Sequence, residues 1–264
     1  MKLSYFELIS PDPVQIQNVG GILSPKLRDI SKIGINIYQF YLSFLSMDAK
    51  SYFSMLKQQE VYDSLSDDDK AKIDVYDIMT KNKETIRFLQ ESLNFFINEN
   101  VIWSDTNKCF LVNKDMPFEE DGKIVEKPIT IGIIAKQNYY QICDLIFQRN
   151  AIRTKRQEDL SKVKSKKALD ILKKLQKGRE EKSKTSKVDK NMELGNIISA
   201  VANKSNSLNI INIWDLTVYQ VWDCFSRLSN NSIYDIQSMS IATWGDKDNH
   251  FDATAWFKRI DDNN

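Results

Sequence analysis

Histidine is nearly absent from this chain of 264 residues, in which His250 is the only one. General acid–base and nucleophilic sites commonly depend on histidine, so few catalytic arrangements remain open. A Ser–His–Asp triad would need His250, and no GxSxG motif is present to carry the serine. The phosphate-binding motifs GxxxxGK[ST] and GxGxxG are missing too. We therefore predict that the protein is not an enzyme, with no catalytic residues and no cofactor.

Cysteine is also scarce, and its spacing excludes two classes of site. Cys109, Cys143 and Cys224 are odd in number and lie far apart, so neither a disulfide framework nor a CxxC metal pair is expected. Residues 246–252 begin with the alternating carboxylates of a calcium loop. They lack the glycine at the sixth position and the distal glutamate of such a loop. We predict three free thiols and no metal site.

Long hydrophobic runs are missing as well. The longest apolar region, residues 35–47, is interrupted by Asn36, Gln39, Ser43 and Ser46. A membrane-spanning helix needs roughly 20 apolar residues. The first residues also lack the apolar run and cleavage site of a secretory signal. We expect a protein that does not enter a membrane and stays inside the cell that makes it.

Charge is abundant but unevenly distributed. The whole chain has a formal net charge of +1, whereas Arg149 to Lys190 holds sixteen Lys and Arg against six Asp and Glu, a net charge of +10. The rest of the chain is correspondingly acidic. We call residues 150–190 the basic segment, and we predict a helical arm or linker that joins two acidic domains.

The basic segment has two candidate uses. Its lysines predict salt-sensitive binding to nucleic-acid phosphates, although no aromatic residue stands among them to stack on bases. Its thin apolar stripe predicts instead pairing with a partner helix. The basic patch comprises Lys162, Lys164, Lys166, Lys167, Lys173 and Lys174. The stripe that would bind a partner includes Leu160, Val163, Leu172 and Leu175.

The pattern of apolar residues before the basic segment predicts mostly helices. Apolar residues at helical spacing indicate helices over residues 26–47, 83–98 and 135–149. Period-two alternation over residues 101–134 predicts three or four short antiparallel strands, with Asp121-Gly122 as a hairpin turn. The fold class we predict is α+β and predominantly helical.

Capping residues and turn residues predict where the elements begin and end. Ser24-Pro25, Asp48 and Ser66 each resemble a helix start, and Asp48 would cap one helix over residues 49–62. Thr217 and Gln220 form a capping box, which predicts a helix that Ser229 to Asn231 would end. Three further expectations are a short strand at residues 3–9, a helix break at Gly34, and either a strand or a helix at residues 239–244.

Tryptophan is concentrated in the last quarter of the chain. Trp214, Trp222, Trp244 and Trp256 are four of the five tryptophans. Tryptophan usually lies in the hydrophobic core, but it is also enriched among the residues that contribute most of the binding free energy at interfaces. We predict that Trp214, Trp222 and Trp256 contribute to a partner-binding surface. The domains we expect are residues 1–149 (helices with β-hairpins), 150–190 (the basic segment) and 191–264 (a small tryptophan-rich domain).

Two regions of the sequence resemble a known group of proteins. Phe6-Glu7-Leu8-Ile9-Ser10-Pro11-Asp12-Pro13 and residues 19–30 resemble the opening of proteins from the tail gene clusters of phages and prophages of low-GC Gram-positive bacteria. Residues 213–228 and 252–257 are similar to C-terminal motifs of the same group. The resemblance implies a role around the tape measure or the tail tube, as a tail assembly chaperone or a minor tail component.

The function expected from these observations is phage tail assembly through protein–protein binding. The partners would be tape-measure or tail-tube proteins, and the location would be the cytoplasm of the bacterial host or the virion. The alternative is a nucleic-acid-binding module that uses the basic segment.

Overall fold

The computed structural model of the protein describes residues 1–120, 123–152, 189–246 and 250–259. It is an α+β fold, predominantly helical, with two small antiparallel sheets, which confirms the predicted fold class. The chain divides into two compact units. The first unit contains residues 1–152 and 212–223, and the second contains residues 153–211 and 224–264. Among the described helices, none is long and apolar enough to cross a membrane.

The described helices and strands follow one another in chain order, with three short 3-10 turns. The α-helices are α1 Tyr5–Ile9, α2 Leu27–Ile33, α3 Ile35–Leu45, α4 Ala49–Met55, α5 Gln59–Ser64, α6 Asp67–Lys72, α7 Val75–Met79, α8 Lys83–Phe96, α9 Lys136–Arg149, α10 Leu194–Lys204 and α11 Val218–Trp244. The strands are β1 Val14–Ile16, β2 Gly20–Ile22, β3 Asn100–Ser104, β4 Cys109–Glu120 and β5 Lys123–Ile134.

The core of the first unit forms where helix α8 packs against helix α3. Leu89, Leu93 and Phe96 recur at helical spacing on α8, and each is completely buried. They face the apolar side of α3, where Tyr38 contacts Phe96 with ring centroids 6.3 Å apart. Gly34, at φ +89°, separates α2 from α3, as predicted. This conformation favours glycine because it has no Cβ.

The two sheets are both antiparallel. Strands β1 and β2 form a small hairpin, and the second sheet has the order β3-β4-β5. Strand β3 pairs only with the first part of β4, from Cys109 to Asn113. Strands β4 and β5 continue together past a bulge at Val112/Asn113 and remain paired as far as Glu120 and Lys123. The predicted turn residues Asp121-Gly122 lie outside the described residues.

The chain returns to the first unit after Ile211. Lys26 pairs with Thr217, the amide of Val218 donates to the carbonyl of Pro25 at 2.9 Å, and the amide of Leu27 donates to Leu216 at 3.0 Å. The prediction that Ser24-Pro25 begins a helix is therefore wrong. Pro25 is held extended by this pairing, and the helix begins two residues later, at Leu27.

Three other local predictions are corrected. Residues 3–9 contain helix α1, not a strand, because Ser4 and Glu7 form a capping box. The helix expected over residues 49–62 is split into α4 and α5 by Lys57, at φ +57°. Ser229 to Asn231 does not end a helix, since α11 runs on to Trp244 and includes residues 239–244.

The second unit contributes helix α10, most of helix α11 and the chain after it. Helix α10 buries Ile197, Ile198, Val201 and Ala202 on one side. Most of the basic segment, residues 153–188, lies outside the described residues, so its predicted patch and stripe stay predictions. The predicted division into three domains also stays a prediction.

Candidate partner-binding surface

The structure describes three of the predicted partner-binding residues. Trp214 lies in the 3-10 turn Ile213–Asp215 and Trp222 lies in helix α11; both are half-buried and belong to the first unit. Trp256 belongs to the second unit and lies in the 3-10 turn Ala255–Phe257, where it is 51% exposed. The predicted Leu160, Val163, Leu172 and Leu175 lie outside the described residues, as do all six lysines of the basic patch.

The later part of helix α11, residues 228–244, carries almost no charge. Asp235 is the only one of these residues whose side chain is charged at neutral pH. The helix is nevertheless half-buried or exposed along this whole length. Helices on the surface of a soluble domain normally carry charged residues on the side that faces water. Depletion of charge on an accessible surface is instead typical of the centre of a protein–protein interface.

Large apolar side chains project from this part of α11. Ile233, Ile236 and Met239 follow one another at a spacing of three residues, so they are neighbours on the helix surface. Trp244 is eleven residues, about three turns, after Ile233, and therefore lies on a similar side. The exposed fractions are 53% for Ile233, 71% for Ile236, 71% for Met239 and 78% for Trp244. We call these four residues the α11 stripe.

The chain after α11 folds back onto the helix. Helix α11 ends at Gly245, whose φ is +78° and whose amide donates to the carbonyl of Ile241 at 2.8 Å. Tyr234 then contacts Phe251, with ring centroids 5.6 Å apart, and its hydroxyl donates to the carbonyl of Ala253 at 3.4 Å. These contacts anchor the returning chain along residues of the second unit.

A polar network holds the end of the returning chain in place. The guanidinium of Arg227 donates to the carbonyl of Lys258 at 2.8 Å. The carboxylate of Asp252 accepts hydrogen bonds from Lys258 and from the amide and hydroxyl of Thr254. The Lys258 ammonium and the Thr254 donors lower the pKa of Asp252 to about 2, because they stabilise its charged form. Asp252 is therefore ionised at neutral pH.

A shallow cavity opens where the returning chain meets α11. Asn231, Tyr234, Asp235 and Trp256 line it, and its volume is about 280 Å³. Trp256 provides an aromatic face, while Asp235 and Asn231 supply one carboxylate and one amide a single helical turn apart. Phe257 packs edge-on against Trp256, with ring centroids 5.0 Å apart, and is itself 56% exposed. This combination of an aromatic anchor with a few polar groups suits the capture of a partner side chain.

The stripe could be found only by knowing that α11 is one long helix. The Ser229 to Asn231 run indicated a helix end, and this prediction removed Ile233 and Ile236 from any helical face and separated them from residues 239–244. The signal that was available in the sequence is the charge depletion of residues 228–244. It contrasts with the 28% of charged residues in the chain as a whole.

The described residues also bear on the metal sites and disulfides that the sequence did not predict. In the described ranges, no group of three or more His, Cys, Asp or Glu residues is placed to hold a metal ion. The carboxylate of Asp246 accepts from the amides of His250 and Phe251, at 3.0 and 2.9 Å, and so closes its own loop. Cys109 and Cys143 are buried free thiols, and Cys224 is half-buried.

Comparison with known proteins relates one part of the chain to a protein family. The model of a family described as the YomV second domain, which is associated with phages and prophages, matches residues 182–261. No curated protein and no solved structure matches the chain. The match covers well under half of the chain, and it includes the α11 stripe and the returning chain. The predicted relation to phages is confirmed for this region, whereas the expected tail-gene role stays a prediction.

Proposed function

We propose that the protein is a non-enzymatic phage protein that takes part in tail assembly by binding a tape-measure or tail-tube protein through the α11 stripe. The observation that carries the proposal is the combination of exposure and charge depletion over residues 228–244. Four large apolar side chains of α11 are more than half exposed, and the helix half that carries them holds one charged residue. The region lies within the match to a phage-associated domain family.

The chemistry of the stripe suits a helical partner. Ile233, Ile236 and Met239 are spaced by three residues, which is how one helix presents apolar side chains to another. A tape-measure protein is expected to be long and helical, and it would offer apolar seams before the tube encloses it. Binding through apolar contacts without an ion pair at its centre should depend little on salt.

The experiment is a pull-down of the tagged chain from phage-infected or prophage-induced cells, after nuclease treatment, with partners identified by mass spectrometry. We expect a tape-measure or tail-tube protein to be enriched, and Ile236→Glu to lose it. Ser238→Glu is the matched control, because Ser238 lies on the same helix with no stripe residue three or four positions away, and it gains the same charge. Equal recovery of the tail protein by both variants would remove the stripe as the binding surface.

Nucleic-acid binding through the basic segment is the second candidate function. It is favoured by sixteen Lys and Arg against six Asp and Glu from Arg149 to Lys190. Each phosphate contact releases counterions, so the affinity should fall steeply with salt. Replacing Lys162, Lys164, Lys166, Lys167, Lys173 and Lys174 with glutamate would then abolish binding to a DNA duplex in an electrophoretic mobility assay. If this variant binds the duplex as well as the wild type, the basic patch is not a nucleic-acid site.

A further inference from the structure

The second surface without an explanation is the far part of the β4–β5 hairpin, which belongs to the first unit. We call residues 114–119 and 124–129 the hairpin arm. Every one of these residues is exposed, including Met116 at 41%, Phe118 at 39%, Val125 at 40% and Ile129 at 38%. Strand β3 stops pairing before the arm begins, and no other described strand pairs with its outer edges.

The register of the hairpin separates the arm into two chemically different faces. Directly paired residues point to the same side of a hairpin, and successive pairs alternate between sides. One face holds the pairs Lys114–Ile129, Met116–Lys127 and Phe118–Val125, and the other holds Asp115–Pro128, Pro117–Glu126 and Glu119–Ile124. The first face is apolar with two lysines and no acidic residue. The second face has three carboxylates and no basic residue.

Two prolines hinder another strand from pairing with the outer edges of the arm. Pro117 and Pro128 lie in register pairs two positions apart, so both belong to the same class of pair in the ladder. In register pairs whose two residues do not hydrogen-bond each other, the backbone N–H groups point away from the hairpin. Proline fits only in such pairs without removing a hydrogen bond between the strands. Each outer edge of the arm therefore lacks one backbone N–H donor. Contacts with another molecule are then expected through the faces.

The two faces of the arm complement each other. The apolar face with Lys114 and Lys127 has the charge that the acidic face attracts, and each face extends over three register pairs. Stacked copies of the chain bring both faces into contact with a face of opposite charge, whereas a foreign partner bound to one face leaves the other exposed. We propose that the hairpin arm is an interface between copies of this chain, in which the lysine-bearing face of one arm packs on the acidic face of the next.

The area of the arm sets the strength of this contact. Six residues per strand at about 3.3 Å each give a face roughly 20 Å long and about 10 Å wide. This area is well below the roughly 800 Å² that each partner contributes to a stable interface. The association should therefore be weak in isolation, and its head-to-tail geometry should give rings or open chains. The proposal concerns a different surface from the α11 stripe and does not depend on the proposed function.

The test is sedimentation velocity of the full chain in low salt, up to several hundred micromolar. We expect the mean sedimentation coefficient to rise with concentration and to fall back towards the monomer value when salt is added. Lys114→Glu with Lys127→Glu should remove the rise, and so should Glu119→Lys with Glu126→Lys. A monomer at every concentration would overturn the proposal.

Charge exchange distinguishes this arrangement from other contacts. A chain with all four substitutions keeps Asp115 but has the net charge of each face reversed in sign, so it should associate again. An equimolar mixture of the two double variants should also associate, because one has a net negative charge on both faces and the other a net positive charge on both. Lys81→Glu with Lys83→Glu is the matched control, since both lysines are exposed outside the arm and should leave association unchanged.

Two milder variants guard against a failure to fold. Lys114→Glu alone and Phe118→Ser alone should each weaken association at least severalfold while the far-ultraviolet circular dichroism stays that of the wild type. If folded single variants associate as the wild type does, or if the four-residue exchange does not restore association, the arm faces are not the interface.

Discussion

At the scale of single residues, Arg149 connects two parts of the first unit that are distant in sequence. It is completely buried at the end of helix α9, and its guanidinium donates to the carbonyls of Glu7, Leu8, Ser10 and Asp12. These carbonyls lie at the end of helix α1 and in the turn after it, where backbone acceptors lack helical partners. Burial lowers the pKa of Arg149, and the nearby Asp12 and Glu7 carboxylates oppose that shift. One cation thus holds the first turn of the chain against helix α9.

Arg149→Met should destabilise the protein by about 2–3 kcal/mol, because several carbonyls lose a charged donor while the buried volume is kept. Arg149→Lys should recover only part of the loss, since one ammonium cannot reach acceptors that a planar guanidinium spans. Urea denaturation measures the free energy of unfolding of both variants. The control is Arg87→Met, whose ion pair with Glu91 is exposed and should contribute less than about 1 kcal/mol. Equal losses for Arg149 and Arg87 would contradict this account.

Gly132 is required by a close approach of two backbone segments. A Cβ at this position would lie 2.3 Å from the carbonyl oxygen of Asn18, which also accepts from the amide of Ile133 at 3.1 Å. Because the obstacle is backbone, Gly132→Ala should cost about 1–3 kcal/mol in thermal or urea unfolding. Gly195→Ala is the control. Gly195 lies in helix α10 with nothing within 4 Å of the added Cβ, so alanine should stabilise by about 0.5–1 kcal/mol there.

At the scale of elements, the beginning of helix α11 depends on one capping box. The amide of Gln220 donates to the Thr217 hydroxyl at 3.2 Å, and the amide of Thr217 donates to the Gln220 side chain at 2.9 Å. The same Gln220 side chain donates to the carbonyl of Ile9 at 2.9 Å, which ties the cap to helix α1. Thr217 is fully buried, so water cannot replace its hydroxyl.

Thr217→Val keeps the shape of the side chain and removes the hydroxyl that accepts from the amide of Gln220. We expect a loss of about 1–2 kcal/mol in the free energy of unfolding. Thr243→Val is the matched control near the other end of the same helix, where the hydroxyl is exposed and bonds only to the carbonyl of Met239. Its effect should stay within about 0.5 kcal/mol. An equally large loss of unfolding free energy for Thr243→Val would show that the loss at Thr217 does not come from the capping box.

The elements that the sequence predicted correctly are those whose boundaries depend on nearby residues. Asp48, Ser66 and Thr217 cap helices as expected, since an N-cap needs only its own side chain and an amide three residues later. The same rule predicts helix α1, because Ser4 and Glu7 form a capping box within the residues for which weak alternation predicted a strand. Helix α8 was predicted within two residues, since its apolar period is strong.

The elements that were mispredicted depend on distant parts of the chain. Pro25 and Lys26 are extended because residues almost two hundred positions later pair with them, and no local pattern records this. Helix α11 continues through Ser229 to Asn231 although these residues have low helix propensity, which is a weak effect. This second error concealed the stripe. Trp256 was found as a candidate because tryptophan frequency at interfaces does not depend on helix boundaries.

At the scale of the whole molecule, the two proposed surfaces should respond differently to salt. The α11 stripe is apolar with a single nearby charge, so binding of its partner should change little between low and physiological salt. The hairpin arm uses opposite charges that are exposed to solvent, and salt screens the attraction between such charges, with a Debye length of about 8 Å at 0.15 M. A salt titration therefore assigns an observed association to one surface or the other without any substitution.

Buried groups that must stay neutral should limit the stability of the molecule at high pH. Burial raises the pKa of Tyr38 and of Tyr139, and it raises the pKa of Cys143 to about 12. Each group keeps its proton in the folded chain and loses it more readily when unfolded. A raised folded pKa contributes stability that is fully present below the unfolded pKa, and this contribution is lost as pH rises towards the folded pKa.

The free energy of unfolding should thus be flat up to about pH 9 and fall above it, by about 1.4 kcal/mol per pH unit for each group that only the unfolded chain ionises. Urea denaturation at pH 7, 9, 10 and 11 measures this slope. Tyr38→Phe removes one such group together with the 2.8 Å hydrogen bond from its hydroxyl to Asn150. It should cost about 1 kcal/mol at pH 7 and make the decline above pH 10 shallower, so the two curves converge as pH rises. Parallel curves would show that the Tyr38 hydroxyl ionises equally in both states, and that its burial does not contribute to the alkaline limit.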